Sequence, residues 1–246
     1  MSRVETQSLS LVFEPGKPRF FDLFSGTGSV SQAFLERGYE VISLDIAPHF
    51  KPTIVADILS WDYKSQFRPG HFDTIFCSPP CNQFSIAKTT APRDLEQADL
   101  LVKKSLEIIK YFCPRKGFLE NPRTGLLTKR PYMEGIPFVD VDYFQFSQWR
   151  YQKPTRIRED PSISHLTSKI CDRKTCINLV DRPNGRKGHR EISGGNQMRA
   201  TRNDKYRIPE DLLKYLCDWP DRKQYDAAVD YIKALYLDAL PNLEKN

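Results

Sequence analysis

Short apolar runs recur along the first half of the chain, and each ends beside a Gly-rich turn, a proline pair or a carboxylate. The runs occupy residues 18–24, 39–44, 53–56, 72–77 and 116–119. Runs of this length between turn residues are typical of buried strands. Apolar residues at helical spacing lie between them at 31–37 and 94–112. The alternation predicts an α/β fold built on a mostly parallel, doubly wound sheet.

The second half of the chain is less regular. Residues 139–146 and 149–158 predict a strand pair that mixes aromatic and basic side chains, and 209–216 and 225–240 predict helices. Residues 161–206 show no regular periodicity. We therefore expect a flexible lead, a main α/β domain, a small irregular basic region and C-terminal helices that pack back on the main domain, with bounds at 1–17, 18–160, 161–206 and 207–246.

Charge is concentrated in one part of this chain of 246 residues. Residues 169–207 carry eleven Lys and Arg against four Asp and Glu, a net charge of +7 in a chain whose total is +6. Such a segment predicts a polyanionic partner at one face, although a basic run is more often only a solvated surface. The six cysteines form no dense secreted-type pattern and no apolar run has membrane length, so we expect a soluble, intracellular protein of a reducing compartment.

A thiol follows the fourth apolar run. Ser78-Pro79-Pro80 ends that run, because proline cannot continue a central strand, and Cys81 comes directly after it. A side chain placed where a strand ends lies at the mouth of an open α/β sheet, where ligands bind. Cys81 is therefore a candidate nucleophile, and the basic residues of the chain favour a lowered pKa for its thiol.

Two other strand ends carry groups suited to an adenosine ligand. The turn at residues 25–29 has two glycines that let the backbone approach a ligand. Asp45 ends the second strand about 20 residues later, where an acid can accept from ribose hydroxyls, and Asp57 can accept from an adenine amino group. Each acid alone is nearly as well explained as a turn cap, whereas the three features together favour an adenosine site.

The fifth strand delivers Glu120-Asn121-Pro122. If the fourth and fifth strands are neighbours, Glu120 and Cys81 face one cleft. A protonated carboxyl there can donate a hydrogen bond to a ring nitrogen. A surface acid after a strand is the commoner situation for any single glutamate.

Thiols and imidazoles also occur together in the basic region. Cys171, Cys176, His165 and His189 lie within about 25 residues and could close a tetrahedral zinc site that orders a region without a core. The Cys-x4-Cys spacing is wider than the CxxC pairs of common zinc motifs. This difference favours the interpretation that these four residues bind no metal.

Over residues 19–157 the chain resembles the DNA cytosine-5 methyltransferases. The resemblance rests on FDLFSGTGS, Asp45, Asp57-Ile58, Pro79-Pro80-Cys81 with Gln83-Phe84-Ser85, and Glu120-Asn121-Pro122, in that order. The tract RYQKPTRI is similar to the family's QxRxR motif, with Gln152 first, Arg156 last and Pro154 in place of the middle arginine. A short tract of this kind is similar to phage- and virus-type members.

The resemblance implies a Rossmann-like, S-adenosylmethionine-dependent methyltransferase fold with 161–206 as a short target-recognition region. It implies Cys81, Glu120 and Arg156 as catalytic residues. The implied cofactor contacts are Phe24, Ser25, Gly26, Thr27, Gly28, Ser29, Asp45, Ile46, Asp57, Ile58 and Pro79, and the implied substrate contacts are Pro80, Gln83, Ser85, Asn121 and Gln152.

The implied activity is methyl transfer to C5 of a flipped cytosine in double-stranded DNA, through a covalent adduct between Cys81 and C6. The same chemistry would serve an RNA cytosine-5 methyltransferase, and a silent homologue that binds DNA or another partner would share the motifs. Amino-group methyltransferases have an aromatic residue where Cys81 stands, which argues against them. We expect a monomer without a membrane partner, in the cytoplasm of a prokaryote or virus-infected cell, or in a eukaryotic nucleus.

Overall fold

The structure, a computed structural model, describes residues 13–89, 91–148, 152–159, 167–181, 185–189 and 207–217. Seven strands form one sheet: β1 (Arg19–Leu23), β2 (Glu40–Asp45), β3 (Ile54–Val55), β4 (Thr74–Cys77), β5 (Lys116–Pro122), β6 (Phe138–Asp142) and β7 (Pro154–Glu159). Two more, β8 (Leu179–Asp181) and β9 (Lys187–His189), form an antiparallel pair. The helices are α1 (Ser29–Glu36), α2 (Tyr63–Gln66), α3 (Leu95–Phe112) and α4 (Glu210–Cys217).

The strand order in the large sheet is β3-β2-β1-β4-β5-β7-β6. The first five strands are parallel, and β7 runs antiparallel to both of its neighbours. The predicted α/β fold with a mostly parallel sheet is confirmed. Chain connections run outward in opposite directions from β1 and β4, so the switch point of the sheet lies between these two strands, where ligands of open α/β sheets bind.

The sheet is buried on both faces because its central strands are apolar at successive positions. In β1, Phe21 packs with Phe72 on the face that α3 covers, their ring centroids 4.5 Å apart. Phe20 packs with Phe34 of α1 on the other face, where α4 also lies. Near-continuous apolar strands are expected when helices cover both sides of a parallel sheet.

Two differences between the predicted and observed boundaries affect the site. The strand expected to end at residue 119 continues to Pro122, because Glu120, Asn121 and Pro122 pair with β7. The strand expected over 139–146 ends at Asp142, and a 3-10 turn follows at Tyr143–Phe146.

The chain ends and the basic region are described in part. The lead predicted at 1–17 is described from Phe13 onward, and the helix predicted at 225–240 lies outside the described residues. Within 161–206, where no periodicity was found, the structure has the short β8–β9 hairpin. Among the described helices, none is both long and apolar enough to cross a membrane.

Candidate active site

The strand tips that carry Cys81 and Glu120 are joined to each other. Cys77 pairs with Leu119 in the parallel ladder, so β4 and β5 are the neighbours that the sequence argument required. Across the tips, the Nδ2 of Asn121 donates a buried hydrogen bond of 3.2 Å to the carbonyl of Pro79. This bond fixes the proline-stiffened segment before Cys81 against the end of β5.

Glu120 lies in the interior of the sheet rather than at an exposed loop. It is only 8% exposed, and it pairs with Ile157 of β7 one residue beyond the last pair between β4 and β5. The Tyr143 hydroxyl donates to its Oε1 at 3.1 Å. A buried carboxyl with one fixed donor is held in place, so its other oxygen remains available to a ligand.

The half-buried Cys81 thiol is affected by both Glu120 and Lys153. Burial raises the pKa of the thiol most, the Glu120 carboxylate raises it further, and the Lys153 ammonium lowers it. The net direction is upward, so the expectation of a lowered thiol pKa is wrong for the free protein. The physical reason is that desolvation disfavours a thiolate more than one nearby cation favours it.

Arg156 shares a sheet face with Asn121 and Asp140, the residues with which it pairs in β5 and β6. Neighbouring strand residues point to opposite faces, so Arg156 and Glu120 lie on different sides of the sheet. Its guanidinium binds Asp140 in a fork, at 2.7 and 2.9 Å, and covers the ring of Phe138. The structure therefore does not bring Arg156 together with Cys81 and Glu120.

Lys153 directly precedes Pro154, the residue that occupies the middle arginine position of the motif. Its ammonium is 4.4 Å from the ring centroid of Tyr143, the residue that contacts Glu120. Sequence reasoning did not assign Lys153 or Tyr143 to the site. No local sequence signal selects Lys153, because the pairing of Ile157 with Glu120 decides which side of this tract faces the site.

The loop after Cys81 uses several predicted substrate contacts for its own structure. The Gln83 side chain accepts from the Lys88 ammonium at 2.6 Å and from the Asp94 backbone at 3.0 Å. The Ser85 hydroxyl accepts from the Ala87 backbone. Pro80 is exposed. Gln152, which lies far along the chain from this loop, donates to Asp142 at the end of β6.

The Gly-rich turn has the backbone shape that a close ligand requires. Phe24, Gly26 and Gly28 have φ of 61°, 48° and 74°, in the left-handed region. A side-chain carbon added at Gly28 would meet nothing within 4 Å, so space is open there. Phe24 is not a glycine, and non-glycine residues held at positive φ concentrate at ligand-binding sites.

Asp45 is bound to that turn. Its carboxylate accepts from the backbone of Gly26 at 2.8 Å and from the backbone of Ala47 at 2.8 Å. The side chain thus connects the end of β2 with the turn after β1, and its remaining acceptor sites can still take hydroxyl donors. Asp57 caps its own turn by accepting from Leu59, Ile58 is in the core at 2% exposure, and Ile46 is exposed.

A cavity of about 670 Å³ opens beside the turn. Ser25, Gly26, Thr27, Gly28 and Ser29 line it, together with residues of α1 and β2 and the segment at 50–53. Five of the predicted cofactor residues therefore lie together at one cavity, while Asp45 and Pro79 belong to the strand ends.

A curated relative establishes the family. The probable DNA (cytosine-5)-methyltransferase of Frog virus 3 (isolate Goorha) is 34% identical over 218 residues, which cover 81% of this chain and 99% of the viral protein. The chain belongs to the DNA (cytosine-5)-methyltransferase family. It is therefore a methyltransferase, and the family implies S-adenosylmethionine as the cofactor.

Other comparisons concern parts of this methyltransferase. Residues 8–55 match the family described as D12 class N6 adenine-specific DNA methyltransferase. That stretch contains the Gly-rich turn and ends before Cys81. The match therefore concerns the residues expected to bind the cofactor and not those expected to bind the target base. Two solved structures are similar, the Entamoeba histolytica methyltransferase EhMeth (16% identity, TM-score 0.46) and the S. pombe Dnmt2 methyltransferase (15%, 0.40). They cover 62% and 58% of this chain, which spans 56% and 49% of theirs.

Two buried polar atoms at the strand ends test whether the methyltransferase cofactor fits. The Ser78 hydroxyl and the Asn121 Oδ1 are buried without a hydrogen-bond partner among the described residues. Buried polar atoms without a partner are costly, so a polar ligand that hydrogen-bonds to them would be favoured. Together with the open Gly turn and the Asp45 carboxylate, they fit a polar cofactor over the ends of β1 and β4.

Asp22 is a further buried acid that sequence reasoning missed. It stands inside the apolar run of β1 and accepts from the backbone and the hydroxyl of Ser31, at 3.1 and 2.6 Å. Burial raises its pKa to about 7. The contact fastens the start of α1 to β1 beneath the Gly-rich turn.

Proposed function

We propose that this protein transfers a methyl group from S-adenosylmethionine to C5 of cytosine in DNA, through a covalent bond between Cys81 and C6. The observation that carries the proposal is the joined pair of strand tips, in which Asn121 fixes the segment before Cys81 and Tyr143 fixes Glu120. In this arrangement the thiol can bond to C6 of a pyrimidine ring while the carboxyl hydrogen-bonds to N3 of the same ring.

Cytosine C5 is a weak nucleophile, so the ring has to be activated before it can accept a methyl group. The thiol proton of Cys81 passes to Glu120 and from Glu120 to N3 while the Cys81 sulfur forms a bond to C6, which leaves an enamine that is nucleophilic at C5. S-adenosylmethionine supplies the electrophilic methyl group when bound. Loss of the C5 proton to water then expels Cys81 as a thiolate and restores the double bond between C5 and C6, and the N3 proton returns through Glu120 to the Cys81 sulfur.

The electrostatics of the pair suit this order of events. In the free protein the Glu120 carboxylate helps to raise the pKa of the Cys81 thiol, so the nucleophile stays protonated and unreactive. A Glu120 that has taken up a proton for N3 no longer repels the thiolate. The Lys153 ammonium continues to favour it, so entry of the base activates the nucleophile.

The residues proposed to hold the cofactor are those of the Gly turn, the Asp45 carboxylate and Pro79. Open backbone at Gly28 allows a close approach, and Asp45 offers acceptors for hydroxyl groups at the end of β2. The Ser78 hydroxyl and Asn121 Oδ1 are the unpartnered groups nearest to the reacting tips along the chain.

Access to C6 in duplex DNA requires the target base to leave the stack. Flipping costs a few kcal/mol, which pocket and backbone contacts have to offset. The basic segment at 169–207 is the proposed source of the phosphate contacts.

The test is incubation of the purified protein with tritiated S-adenosylmethionine and either duplex DNA or RNA, followed by nucleoside analysis. We expect label in 5-methyldeoxycytidine. Label only in RNA would move the substrate to RNA cytosine, label in N6-methyladenine would overturn the chemistry, and no label on any substrate would identify a silent homologue. DNA with 5-fluorocytosine at the target should trap a covalent complex, because fluorine at C5 cannot leave as a cation.

A further inference from the structure

The thiols and the imidazole of the basic region meet in the structure. The Nε2 of His189 lies 2.9 Å from the Cys171 sulfur and 3.6 Å from the Cys176 sulfur. All three ligand atoms lie within 4.8 Å of one another. His165, the fourth residue of the sequence prediction, lies outside the described residues. Two sulfurs and one imidazole nitrogen form a donor set that suits zinc.

Local backbone structure explains how distant residues reach one point. Asp172 begins a turn in which its carbonyl accepts from the Cys176 backbone at 3.0 Å and its carboxylate caps Lys174 and Thr175. The turn places Cys171 and Cys176 side by side despite their four-residue spacing. The β8–β9 hairpin then returns His189 opposite Leu179, which brings the imidazole back to the two thiols.

The described residues of this part of the chain form no apolar core of their own. Of the described residues, those between 167 and 189 contribute no side chain to either hydrophobic core cluster. Ile177 is 94% exposed and Ile170 is 47% exposed, whereas His189 is 5% exposed. A segment with one buried and two half-buried ligand residues beside exposed isoleucines is typical of small metal-ordered modules, because metal binding replaces a missing core.

The cluster is also attached to the strand that leads into the active site. The Cys171 backbone donates to Asp142 at 2.6 Å, and backbone bonds of 2.8 and 2.9 Å join Lys169 to Asp142 and Asp140. The His189 ring lies 4.5 Å from the ring of Phe144. Asp142 directly precedes Tyr143, which donates to Glu120. The cluster is therefore attached to β6 next to the residue that positions Glu120.

We propose that Cys171, Cys176 and His189 bind one zinc ion that orders residues 167–189 as a basic module against β6. Metal binding replaces the protons of the two thiols, and the fourth position of the tetrahedron is left to a ligand such as water. The metal site does not depend on the catalytic role of Cys81.

The consequence for DNA does rest on the proposed function. The described module residues include five cations and two carboxylates: Lys169, Arg173, Lys174, Arg186 and Lys187, with Asp172 and Asp181. An ordered set of cations retains more affinity for a phosphate backbone than the same cations on an unstructured segment. Zinc occupancy should therefore set DNA affinity and leave cofactor affinity unchanged.

The first test is the metal content of the full chain purified after growth with zinc, together with the absorption of a cobalt(II)-substituted sample. We expect one zinc per chain and the sulfur-to-cobalt charge-transfer band. Cys171→Ser with Cys176→Ser, and separately His189→Gln, should lose both signals, while the matched control Cys113→Ser should keep them. Absence of zinc from the wild type after zinc reconstitution, or zinc retained by the double variant, would overturn the site.

The second test separates a metal effect from misfolding in those variants. The wild-type chain is treated with a strong chelator, and binding of a duplex oligonucleotide and of S-adenosylmethionine is measured before and after zinc is restored. We expect DNA affinity to fall about tenfold or more and to recover with zinc, with cofactor affinity unchanged. Unchanged DNA affinity would refute the role of the module. Absence of methyl transfer by the untreated wild type would refute the proposed function but not the zinc site, which zinc content and the cobalt spectrum test separately.

Discussion

The strand-end site at Cys81 and the cluster of Cys171, Cys176 and His189 are held in place by different forces. Glu120 sits in a ladder between β4 and β7, with apolar cores on both faces of the sheet. The cluster sits on a turn and a two-stranded hairpin, and the side chains of Ile170 and Ile177 beside them are exposed. Backbone pairing and burial hold the side chains of the first site in place. At the second site we expect the bonds to the proposed zinc ion to do so. The two regions should therefore respond differently to mutation, metal removal and pH.

The largest effect is expected from removing the thiol at the strand tip. Cys81→Ala should lower methyl transfer about a thousandfold or more, because the variant lacks the sulfur that adds to C6. The tritium-transfer assay measures the rate, and calorimetry should find S-adenosylmethionine binding retained. Cys113→Ser serves as the matched control, and a Cys81→Ala variant that still transferred label would contradict the covalent mechanism.

Metal removal should separate the two regions directly. Chelation should speed amide exchange in residues 167–181 about a hundredfold, because the module loses the contact that orders it, and should leave β1 and β4 protected. Hydrogen exchange read by mass spectrometry gives both values in one experiment. Equal loss of protection in the sheet would show that the regions are one cooperative unit.

The buried acid of β1 should make the sheet sensitive to pH. The pKa of Asp22 is raised to about 7 in the folded protein, above the ordinary value of 3.8, so the folded state binds more protons between these pH values. Its contribution to the free energy of unfolding therefore falls as pH rises from about 4 to 7, by up to about 1.4 kcal/mol per pH unit.

The measurement is the difference between wild type and Asp22→Asn in denaturant unfolding across that range. The wild-type curve alone is not decisive, because burial lowers the pKa of His71 to about 4 and stability rises with pH through that window. A difference between the two proteins that did not change with pH would show that Asp22 is solvated in the folded state.

A smaller effect is expected where the two regions meet. Tyr143→Phe removes the hydroxyl that donates to Glu120 and keeps the ring that packs beneath Lys153. We expect the catalytic rate constant to fall about fivefold to tenfold, about 1 kcal/mol, with KM and thermal stability little changed. Loss of stability with an unchanged rate would give Tyr143 a structural role alone.

Much of the strand-end site could be predicted from the chain because its residues follow strands directly. A parallel sheet brings the ends of its strands to one edge, so Cys81 after β4 and Glu120 in β5 are neighbours once the strand order is known. The same argument located the Gly turn and Asp45. It also predicted the α/β fold, because strand and helix periods differ clearly along the first half of the chain.

Arg156 and Lys153 show where that argument stops. Both belong to the tract RYQKPTRI, and a motif comparison alone selects the arginine. Strand register decides which of the two cations lies near Glu120. Arg156 pairs with Asn121 and Asp140, so it lies on the sheet face opposite Glu120. Lys153 is then the cation that acts on Cys81.

The sequence by itself determined the alternation of strands and helices, the order of the strand-end motifs and the presence of two cysteines near a histidine, because these depend on local spacing. Tertiary structure decided which groups meet. It paired Tyr143 with Glu120, raised the pKa of the Cys81 thiol through burial, and brought His189 to Cys171. The two contacts join residues 23 and 18 positions apart, and the pKa depends on desolvation. A local pattern of apolar and polar residues predicts neither.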